Sequence, residues 1–233
     1  MELSGVVPLP ISVADTRAAF APLNTAPPLV RVVAALLAAV AEPKRVVVAA
    51  AESLVGDVRD ALASDGLASV SVVAVGGAAT RADCLRAGAE YLREAAFSTS
   101  HVLVHDVSRP LASVELATRV SAAMRDGGTV VMPILAVTDS VKAVDARGAI
   151  TATVDRSQLR AVQFPRGYSL AALSEMLAQH SSGDFDEVAA AIGLAGPVTV
   201  VEGEPDAFRT ELPGDAEFVE AIIASRAQDP HGA

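Results

Sequence analysis

One segment of the chain ends abruptly in side chains that could do chemistry. The apolar run Val102–Val104 leads into His105 and Asp106, and Arg109 follows three residues later. The Asp106 carboxylate could hold a divalent cation through oxygen, and the Arg109 guanidinium could bind a phosphate with two parallel hydrogen bonds. A salt bridge between Asp106 and Arg109 that only fixes the turn is the alternative, and the residues alone favour neither.

The elements around this segment indicate an α/β fold. Five runs are apolar almost continuously, which is typical of parallel strands covered on both faces: Leu3–Pro8, Arg45–Ala51, Ser69–Val75, His101–Val104 and Thr129–Ile134. Four stretches with apolar residues at helical spacing separate them: Pro28–Val40, Ser53–Asp65, Arg81–Ala95 and Ser113–Arg125. The alternation predicts a doubly wound, mostly parallel sheet whose ligands bind at the carboxyl ends of the strands, where Asp106 lies.

The second half of the chain has a different pattern. Ser140–Val144 and Ile150–Val154 flank a turn-rich tetrapeptide and predict a β-hairpin. An isolated two-stranded ribbon is marginal in water, so we expect it to pack against the body or a second subunit. The remaining predicted elements are two helices, a strand and a last helix: Ser169–Gln179, Asp186–Ile192, Pro197–Val201 and Pro213 to about Ala227. We expect one domain over residues 1–233 with a β-arm at about 137–160, and a frayed tail at 228–233.

Composition and charge disfavour several classes of function. The chain has 233 residues, of which 52% are hydrophobic and 20% charged, so global disorder is excluded. With 28 acidic and 18 basic residues, a general nucleic-acid binder is disfavoured, although a local pocket could still bind a small phosphorylated substrate. The single cysteine and four scattered histidines predict neither a disulfide nor a zinc site. No signal-peptide pattern or long apolar run is present, so we expect a cytoplasmic protein that does not bind membranes.

Several segments occur in an order and at spacings that match one protein family. The first two are Gly-Gly at 76–77 with Arg-Ala-Asp-Cys-Leu-Arg-Ala-Gly at 81–88, and His-Asp-x-x-Arg-Pro at 105–110, which contains Asp106 and Arg109. Two more follow: Val-Thr-Asp-Ser-Val-Lys at 137–142, and Thr-Val-Asp-Arg-Ser-Gln-Leu at 153–159 with Gln-Phe-Pro at 163–165. Together they resemble the 2-C-methyl-D-erythritol 4-phosphate cytidylyltransferase family of isoprenoid precursor synthesis, from about residue 5 to residue 225.

This resemblance implies a reaction. The methylerythritol phosphate would attack the α-phosphate of CTP and release pyrophosphate, with Mg²⁺ required. The protein's part in such a transfer is mostly positioning and charge neutralisation. The resemblance places Asp106 at the metal or the substrate. It also makes the hairpin near 138–160 an arm that reaches into a neighbouring subunit of a homodimer.

The resemblance implies further residue roles, carried over position by position. Three residues would lie around the methylerythritol phosphate: Arg109, Thr138 and Arg156. Arg209 falls where the family carries the lysine of Asn-x-Lys, which keeps the charge but not the geometry. The residues implied for the nucleotide are Pro8, Gly77, Arg81 and Cys84. Cys84 replaces a serine and is the weaker hydrogen-bond partner.

The loop after the first strand departs from the family's Pro-Ala-Ala-Gly-x-Gly-x-Arg, which is followed shortly by Pro-Lys. Those glycines let backbone amides approach the triphosphate, and the cations neutralise charge at the α-phosphate. Here no glycine occurs between Gly5 and Gly56, and Ala19 aligns with the lysine. Arg17 is a possible catalytic substitute for the loop arginine, although Asp15 lies close to it. The two lysines of the chain lie elsewhere, at 44 before a strand and at 142 in the arm.

Two more differences concern the acceptor side, where Phe164 replaces a threonine and Arg166 a glutamine.

The departures from the family pattern favour a family member with weakened or lost transferase activity. A working cytidylyltransferase whose loop binds through Ser12, Thr16 and Arg17 is the alternative. A dinucleotide-binding oxidoreductase is a third reading that rests on fold class alone, without G-x-G-x-x-G after the first strand.

The remaining polar residues are expected to have structural roles. His105 is predicted to be a core or supporting residue, and Cys84 a buried helix residue. A solvated helix start is predicted for one acidic group: Asp184, Asp186 and Glu187. A loop surface is predicted for the other: Glu202, Glu204 and Asp206.

Overall fold

The computed structural model of the chain describes residues 1–12, 16, 18–40, 42–95, 98–180, 184–194 and 196–228. Its strands are β1 (Leu3–Leu9), β2 (Val46–Ala51), β3 (Ser71–Val75), β4 (His101–Val104), β5 (Val130–Ala136), β6 (Val141–Val144), β7 (Ile150–Val154), β8 (Arg160–Val162), β9 (Arg166–Ser169) and β10 (Thr199–Glu202). Its α-helices are α1 (Pro28–Val40), α2 (Val55–Ser64), α3 (Arg81–Glu94), α4 (Val114–Arg125), α5 (Leu170–Gln179), α6 (Glu187–Ile192) and α7 (Ala216–Gln228).

The central sheet has the strand order β10-β5-β9-β4-β1-β2-β3. The pairs β4·β1, β1·β2, β2·β3 and β10·β5 are parallel, whereas β9 is antiparallel to both β4 and β5. The short β8 pairs antiparallel with the outer end of β5. The predicted α/β fold with a mainly parallel sheet is therefore confirmed, and β9 is its antiparallel insertion.

Helices cover both faces of the sheet. Alternate residues of β1 belong to different apolar clusters, since Val7 packs with α1, α2 and α4 while Val6 packs with α3 and α5. Both valines are fully buried. Because both faces of β1 are covered, its sequence is continuously apolar instead of alternating. None of the described helices is long and apolar enough to cross a membrane.

The predicted hairpin is present as β6 and β7, which form a separate two-stranded antiparallel sheet. Its turn is held by Asp145, whose Oδ1 accepts hydrogen bonds from the amides of Arg147 (2.8 Å) and Ala149 (2.9 Å). Most of its side chains are exposed. The assignment of residues 1–233 to one domain stays a prediction, and the predicted tail beyond residue 228 lies outside the described residues.

Residues 160–169 contain two strands, β8 and β9, that are not among the predicted elements. β9 is only four residues long and contains Arg166, Gly167 and Ser169, so it has no apolar run by which to recognise it. It nevertheless lies in the middle of the sheet, between β4 and β5. Gly167 is required there because an added Cβ would overlap the Met124 sulfur and lie 2.9 Å from Cγ1 of Val120, both on α4.

We expect Gly167→Ala to lower the free energy of unfolding by about 1–3 kcal/mol, because α4 or β9 must move to admit the methyl group. Gly56→Ala is the matched control, since a Cβ at that position of α2 meets no heavy atom within 4 Å. Urea unfolding of both variants measures the difference. Equal midpoints for the two variants would show that the β9–α4 contact is not tightly packed.

Candidate functional site

The carboxyl ends of β1, β2, β3 and β4 meet at one edge of the sheet, where two cavities open. The first has a volume of about 370 Å³ and is lined by Ile11, Ala51, Glu52, Ser53, Val75 and Gly77. The second, of about 250 Å³, is lined by Pro10, Ile11, Ser12, Ala78, Ala79, Thr80, Arg81, Asp184 and Phe185. This is the edge at which doubly wound sheets bind ligands.

Asp106 lies in the turn after β4 at this edge. Its Oδ1 accepts hydrogen bonds from the amide (2.9 Å) and hydroxyl (2.6 Å) of Ser108, and its Oδ2 accepts one from Nη1 of Arg81 (2.8 Å). Burial opposes ionisation, but the charge of Arg81 and the two bonds from Ser108 outweigh it and lower the Asp106 pKa to about 2. Asp106 is therefore a carboxylate at neutral pH, and its ion pair is with Arg81, not with Arg109.

Arg81 is the first residue of α3, where a reciprocal cap fixes the helix start. Thr80 and Asp83 exchange hydrogen bonds between side chain and backbone, at 3.1 and 3.2 Å. From this position Arg81 donates Nη1 to Asp106 and Nε to Oε1 of Glu187 at 2.6 Å. Its Nη2 is buried and has no hydrogen-bond partner among the described residues.

Glu187 corrects the prediction of a solvated helix start. Its side chain is only 2% exposed, and besides Arg81 it binds Nη1 of Arg166 (3.1 Å) and the hydroxyl of Tyr168 (2.9 Å). Burial and the Glu187 charge raise the pKa of Tyr168. Asp186 behaves as a helix cap, because its Oδ1 accepts from two amides of α6. The prediction was wrong for Glu187 because β9, which is not among the predicted strands, carries both Arg166 and Tyr168 on one face.

Three arginines surround the ring of Phe164. The guanidinium carbon of Arg166 lies 3.9 Å from the ring centroid, and those of Arg81 and Arg109 lie at 5.3 and 5.8 Å. Such distances allow cation–π attraction. Arg166 and Arg81 also have carboxylate partners, whereas Arg109 donates to the carbonyls of Ala207 and Val162.

Arg109 therefore carries a positive charge without an ion pair among the described residues. Burial lowers the pKa of Arg109, and the positive charges of Arg166 and Arg209 lower it as well. The negative charge of Asp106 raises it but does not outweigh them. The exposed Arg209 thus contributes to the same positive region. A site of this kind favours an anion, because a bound negative charge would relieve the repulsion between the guanidiniums.

The loop that carries Arg209 is tied down by Gln163 and Ser108. The Gln163 amide donates to the carbonyl of Glu204 (2.6 Å) and accepts from its N–H (2.9 Å), while the Ser108 carbonyl accepts from the amide of Thr210 (2.8 Å). Glu204 itself is not loop surface as predicted. Its carboxylate accepts from the Ser113 hydroxyl (2.6 Å) and pairs with Arg119 (2.8 Å), which fixes the start of α4.

Thr138 and Arg156 lie at the base of the arm. Nη1 of Arg156 donates to the carbonyl of Thr138, so the structure brings these two predicted residues together. Both are exposed, and within the described part of the chain no hydrogen bond or ion pair links them to Arg109. The predicted acceptor residues therefore form two groups in one chain.

The described start of the loop after β1, residues 10–12, differs from a phosphate-binding loop in its amides. Pro10 has no N–H, the Ile11 amide donates to the Ala79 carbonyl (3.2 Å), and the Ser12 amide donates to the Pro10 carbonyl (3.0 Å). Ala19, at the expected lysine position, is fully buried in the core. Arg17 and Asp15 lie outside the described residues.

The other residues predicted for the nucleotide lie near this loop or behind it. Pro8 is a buried residue of β1, and Cys84 is buried in α3, as expected of a helix residue. Gly77 has a φ of +69°, which glycine adopts without strain, and it lines the larger cavity. Lys44 precedes β2 at the opposite edge, and Lys142 donates to Thr153 within the arm (2.8 Å).

Comparisons with known proteins decide the family. The profile of 2-C-methyl-D-erythritol 4-phosphate cytidylyltransferase matches residues 13–225. The chain belongs to this family. A Nocardia farcinica protein of that name is 36% identical over 212 residues, which cover 90% of this chain and 86% of that protein. A Frankia casuarinae protein of the same name is 37% identical over 180 residues, covering 77% of this chain and 64% of that protein.

Solved structures agree with this assignment. The crystal structure of 2-C-methyl-D-erythritol 4-phosphate cytidylyltransferase from Thermus thermophilus superposes with a TM-score of 0.70 at 31% sequence identity. The superposition covers 96% of this chain and 100% of that one. The resemblance inferred from the sequence motifs is thereby confirmed for the family and the fold.

The cytidylyltransferase family's transfer chemistry raises the question of a metal site. No group of three or more His, Cys, Asp or Glu residues that could hold a metal ion is found within the described ranges. Mg²⁺ is often held by one or two carboxylates together with substrate phosphates. Asp106 fits the role of such a single carboxylate, because Oδ2 accepts one hydrogen bond and has a second lone pair.

His105 supports the Asp106 turn from inside the core. It is 1% exposed, and its Nδ1 accepts a hydrogen bond from the Asp106 amide (2.8 Å). Burial, together with the charges of Arg109 and Arg81, outweighs the attraction of Asp106 and lowers the His105 pKa to about 4. His105 is therefore neutral at pH 7 with its proton on Nε2, as befits the predicted supporting residue.

This pKa predicts an acid-sensitive stability. Because the folded-state pKa lies below the unfolded value of about 6.5, stability is complete above that pH and is lost as pH falls towards 4. We expect a loss of about 2 kcal/mol in the free energy of unfolding between about pH 7.5 and about pH 5. Protonation of Asp106 affects the free energy of unfolding only at lower pH, because its pKa is depressed from 3.8 to about 2.

Urea unfolding as a function of pH measures this loss, and His105→Asn is the control because it keeps a hydrogen-bond acceptor but does not titrate. The variant should lose clearly less stability over the same interval. Parallel curves for both proteins would show that His105 is not the group responsible.

Proposed function

We propose that the protein is a cytidylyltransferase-like member of the isoprenoid precursor family whose CTP-dependent transferase activity is weakened or lost. The observation that carries the proposal is the hydrogen bonding of residues 10–12, the described start of the loop after β1. At residues 10–12 one amide is missing and two are engaged by carbonyls, so they do not offer a triphosphate the donors that a glycine loop would.

The loss of positive charge supports the same proposal. Ala19 is fully buried where the family carries a lysine, and neither Lys44 nor Lys142 replaces it at this edge. Removing one preorganised electrostatic donor slows catalysis by roughly 10²–10³ in comparable sites. Loss of the amide cradle and of the lysine together therefore corresponds to a factor on the order of 10⁴ or more, if the two act independently.

On the acceptor side, this proposal keeps Asp106 and Arg109 as functional residues. By family relationship the acceptor is methylerythritol phosphate, and Arg109 and Arg209 supply the positive region for its phosphate. In the transfer, an oxygen of that phosphate forms a bond to the α-phosphorus of CTP while the bond to pyrophosphate breaks. Asp106 would hold Mg²⁺, which neutralises charge on the phosphate oxygens when bound. The chain's own contribution is to orient the acceptor.

A working cytidylyltransferase with an altered loop is the second candidate. It is favoured by the cavity of about 250 Å³ that Ser12 and Arg81 line, which leaves room for part of a nucleotide. In this version Ser12, Thr16 and Arg17 bind the phosphates in place of the glycine loop. The two candidates differ in rate and in their dependence on Arg17.

The arm supports the proposal of a homodimer. Val144 and Ile150 face each other across the hairpin and are 59% and 69% exposed, so two large apolar side chains lie side by side uncovered on a two-stranded ribbon. A second subunit would cover them and bring the arm residues Thr138 and Arg156 to its Arg109. A cytoplasmic location is part of the same proposal.

Pyrophosphate release from CTP, methylerythritol phosphate and Mg²⁺ tests the two candidates. We expect a rate below that of the Nocardia farcinica relative by a factor on the order of 10⁴ or more, with any residual activity lost in Asp106→Ala. Asp65→Ala is the control, because Asp65 ends α2 at the opposite edge of the sheet. A rate close to that of the relative, abolished by Arg17→Ala, would establish the second candidate instead.

Analytical ultracentrifugation tests the arm. We expect the unmodified protein to sediment as a dimer and the double variant Val144→Asp, Ile150→Asp to sediment as a monomer, since two charges would be buried without partners. Ile192→Asp is the matched control, because Ile192 is 72% exposed but lies on the body of the protein. A monomeric parent protein, or a dimeric double variant, would contradict the proposal.

A further inference from the structure

Arg81 lies against the oxygen of Asp106 that a cation would need. Oδ1 already accepts two hydrogen bonds from Ser108, at 2.6 and 2.9 Å, so Oδ2 is the less committed oxygen. The Arg81 Nη1 lies 2.8 Å from it. A divalent cation at the same oxygen would face this guanidinium at close range, and two positive charges in such a position repel each other.

Arg81 has a second anchor that would remain if it left Asp106. Its Nε donates to Oε1 of Glu187 at 2.6 Å, and Glu187 is in turn held by Arg166 and by the Tyr168 hydroxyl. The Glu187 side chain is 2% exposed, compared with 14% for that of Asp106. The contact with Glu187 is therefore the fixed end of the Arg81 side chain, and the contact with Asp106 is the end open to exchange.

The Arg81 guanidinium also has unused hydrogen-bonding capacity. Nη2 is buried without a partner among the residues that the structure describes, and Arg81 lines the cavity of about 250 Å³ together with Ser12 and Phe185. A buried guanidinium nitrogen without a partner is unfavourable, so an anionic oxygen in this cavity would be stabilised by it.

We propose that Arg81 is an exchangeable counter-ion for Asp106, and that Glu187 is the positioning residue that makes the exchange possible. Without a ligand, Arg81 neutralises Asp106. When a divalent cation takes Oδ2, Arg81 releases Asp106, stays bound to Glu187 through Nε, and directs its terminal nitrogens towards a phosphate. This inference rests on the proposed function, because it assumes that Asp106 holds the cation.

The charges of the cluster formed by Arg81, Asp106, Arg166 and Glu187 explain why a phosphate would favour the exchange. Asp106 and Glu187 balance Arg81 and Arg166, so a divalent cation alone would leave an excess of two positive charges, next to Arg109. A cation that arrives with phosphate groups brings compensating negative charge. The cluster therefore binds the free metal ion weakly and favours a metal–phosphate complex.

Binding of Mn²⁺ alone, followed by its paramagnetic resonance signal in the absence of substrates, tests the proposal. We expect Arg81→Met to bind Mn²⁺ about tenfold more tightly than the unmodified protein, because the competing guanidinium is gone. Arg86→Met is the matched control, since it removes the same charge from the same helix at a side chain that pairs with Asp83. Asp106→Asn in the Arg81→Met background should abolish the gain.

Glu187→Gln separates positioning from a general effect of charge. With Arg81 present, this variant should weaken Mn²⁺ binding several-fold, because Arg81 loses its second anchor and stays on Asp106. In the Arg81→Met background the same substitution should have little further effect. Glu187→Asp, which keeps the charge, should restore part of the affinity. Thermal unfolding checks that each variant is folded, and Arg81→Met and its control test the exchange without any change at Glu187.

The outcomes distinguish this inference from the proposed function. The exchange would be overturned if the unmodified protein and Arg81→Met bound Mn²⁺ equally well. If Asp106→Asn then abolished binding in both backgrounds, Asp106 would remain the metal-binding residue. If Arg81→Met binds Mn²⁺ no better than the unmodified protein because neither binds it, the guanidinium is not what limits cation binding at Asp106; the exchange is then overturned, whereas the proposed function, which rests on the loop after β1, is unaffected. If Glu187→Gln weakens binding equally with and without Arg81, Glu187 acts only through its charge.

Discussion

Glu187 is a buried carboxylate that joins three separate parts of the fold. It binds Arg81 at the start of α3, Arg166 and Tyr168 on β9, and, through Arg81, Asp106 after β4. Removing one member of a buried ion-pair network leaves another charge without a partner, which is strongly unfavourable. The position of Asp106 relative to the nearby cavity therefore depends on a residue from a distant part of the sequence.

The parts of the fold that could be predicted are those with local signals. β1 to β5 and α1 to α5 have continuous apolar runs or helical spacing, and the hairpin has a turn-forming sequence. β9 could not be recognised, because its residues fit a buried strand only through partners elsewhere in the chain. Glu187 pairs with the charge of Arg166, and α4 packs so closely against Gly167 that no side chain fits there. The same lack of a local signal hid Glu187, which resembles an ordinary acidic helix start.

The position of the candidate site could be predicted from the sequence, but the ion pair formed by Asp106 could not. The carboxyl end of β4 indicated Asp106 and Arg109, but the residues left open whether these two form a salt bridge. That question depends on Arg81, 25 positions earlier in the chain, whose guanidinium lies 2.8 Å from Asp106. Once Arg81 takes the carboxylate, Arg109 is left with carbonyl partners and becomes the charge available to an anion.

The two differences from the family pattern at Phe164 and Arg166 are parts of one arrangement. Arg166 stacks on the Phe164 ring at 3.9 Å and pairs with Glu187, while its Nε donates to the carbonyl of Gln163. A phenylalanine at position 164 provides a face for this guanidinium, which a threonine would not, and a glutamine at 166 would leave Glu187 with one arginine fewer. Both residues contribute to the same arrangement around Glu187, so the two differences are better understood together than as two independent losses at the acceptor side.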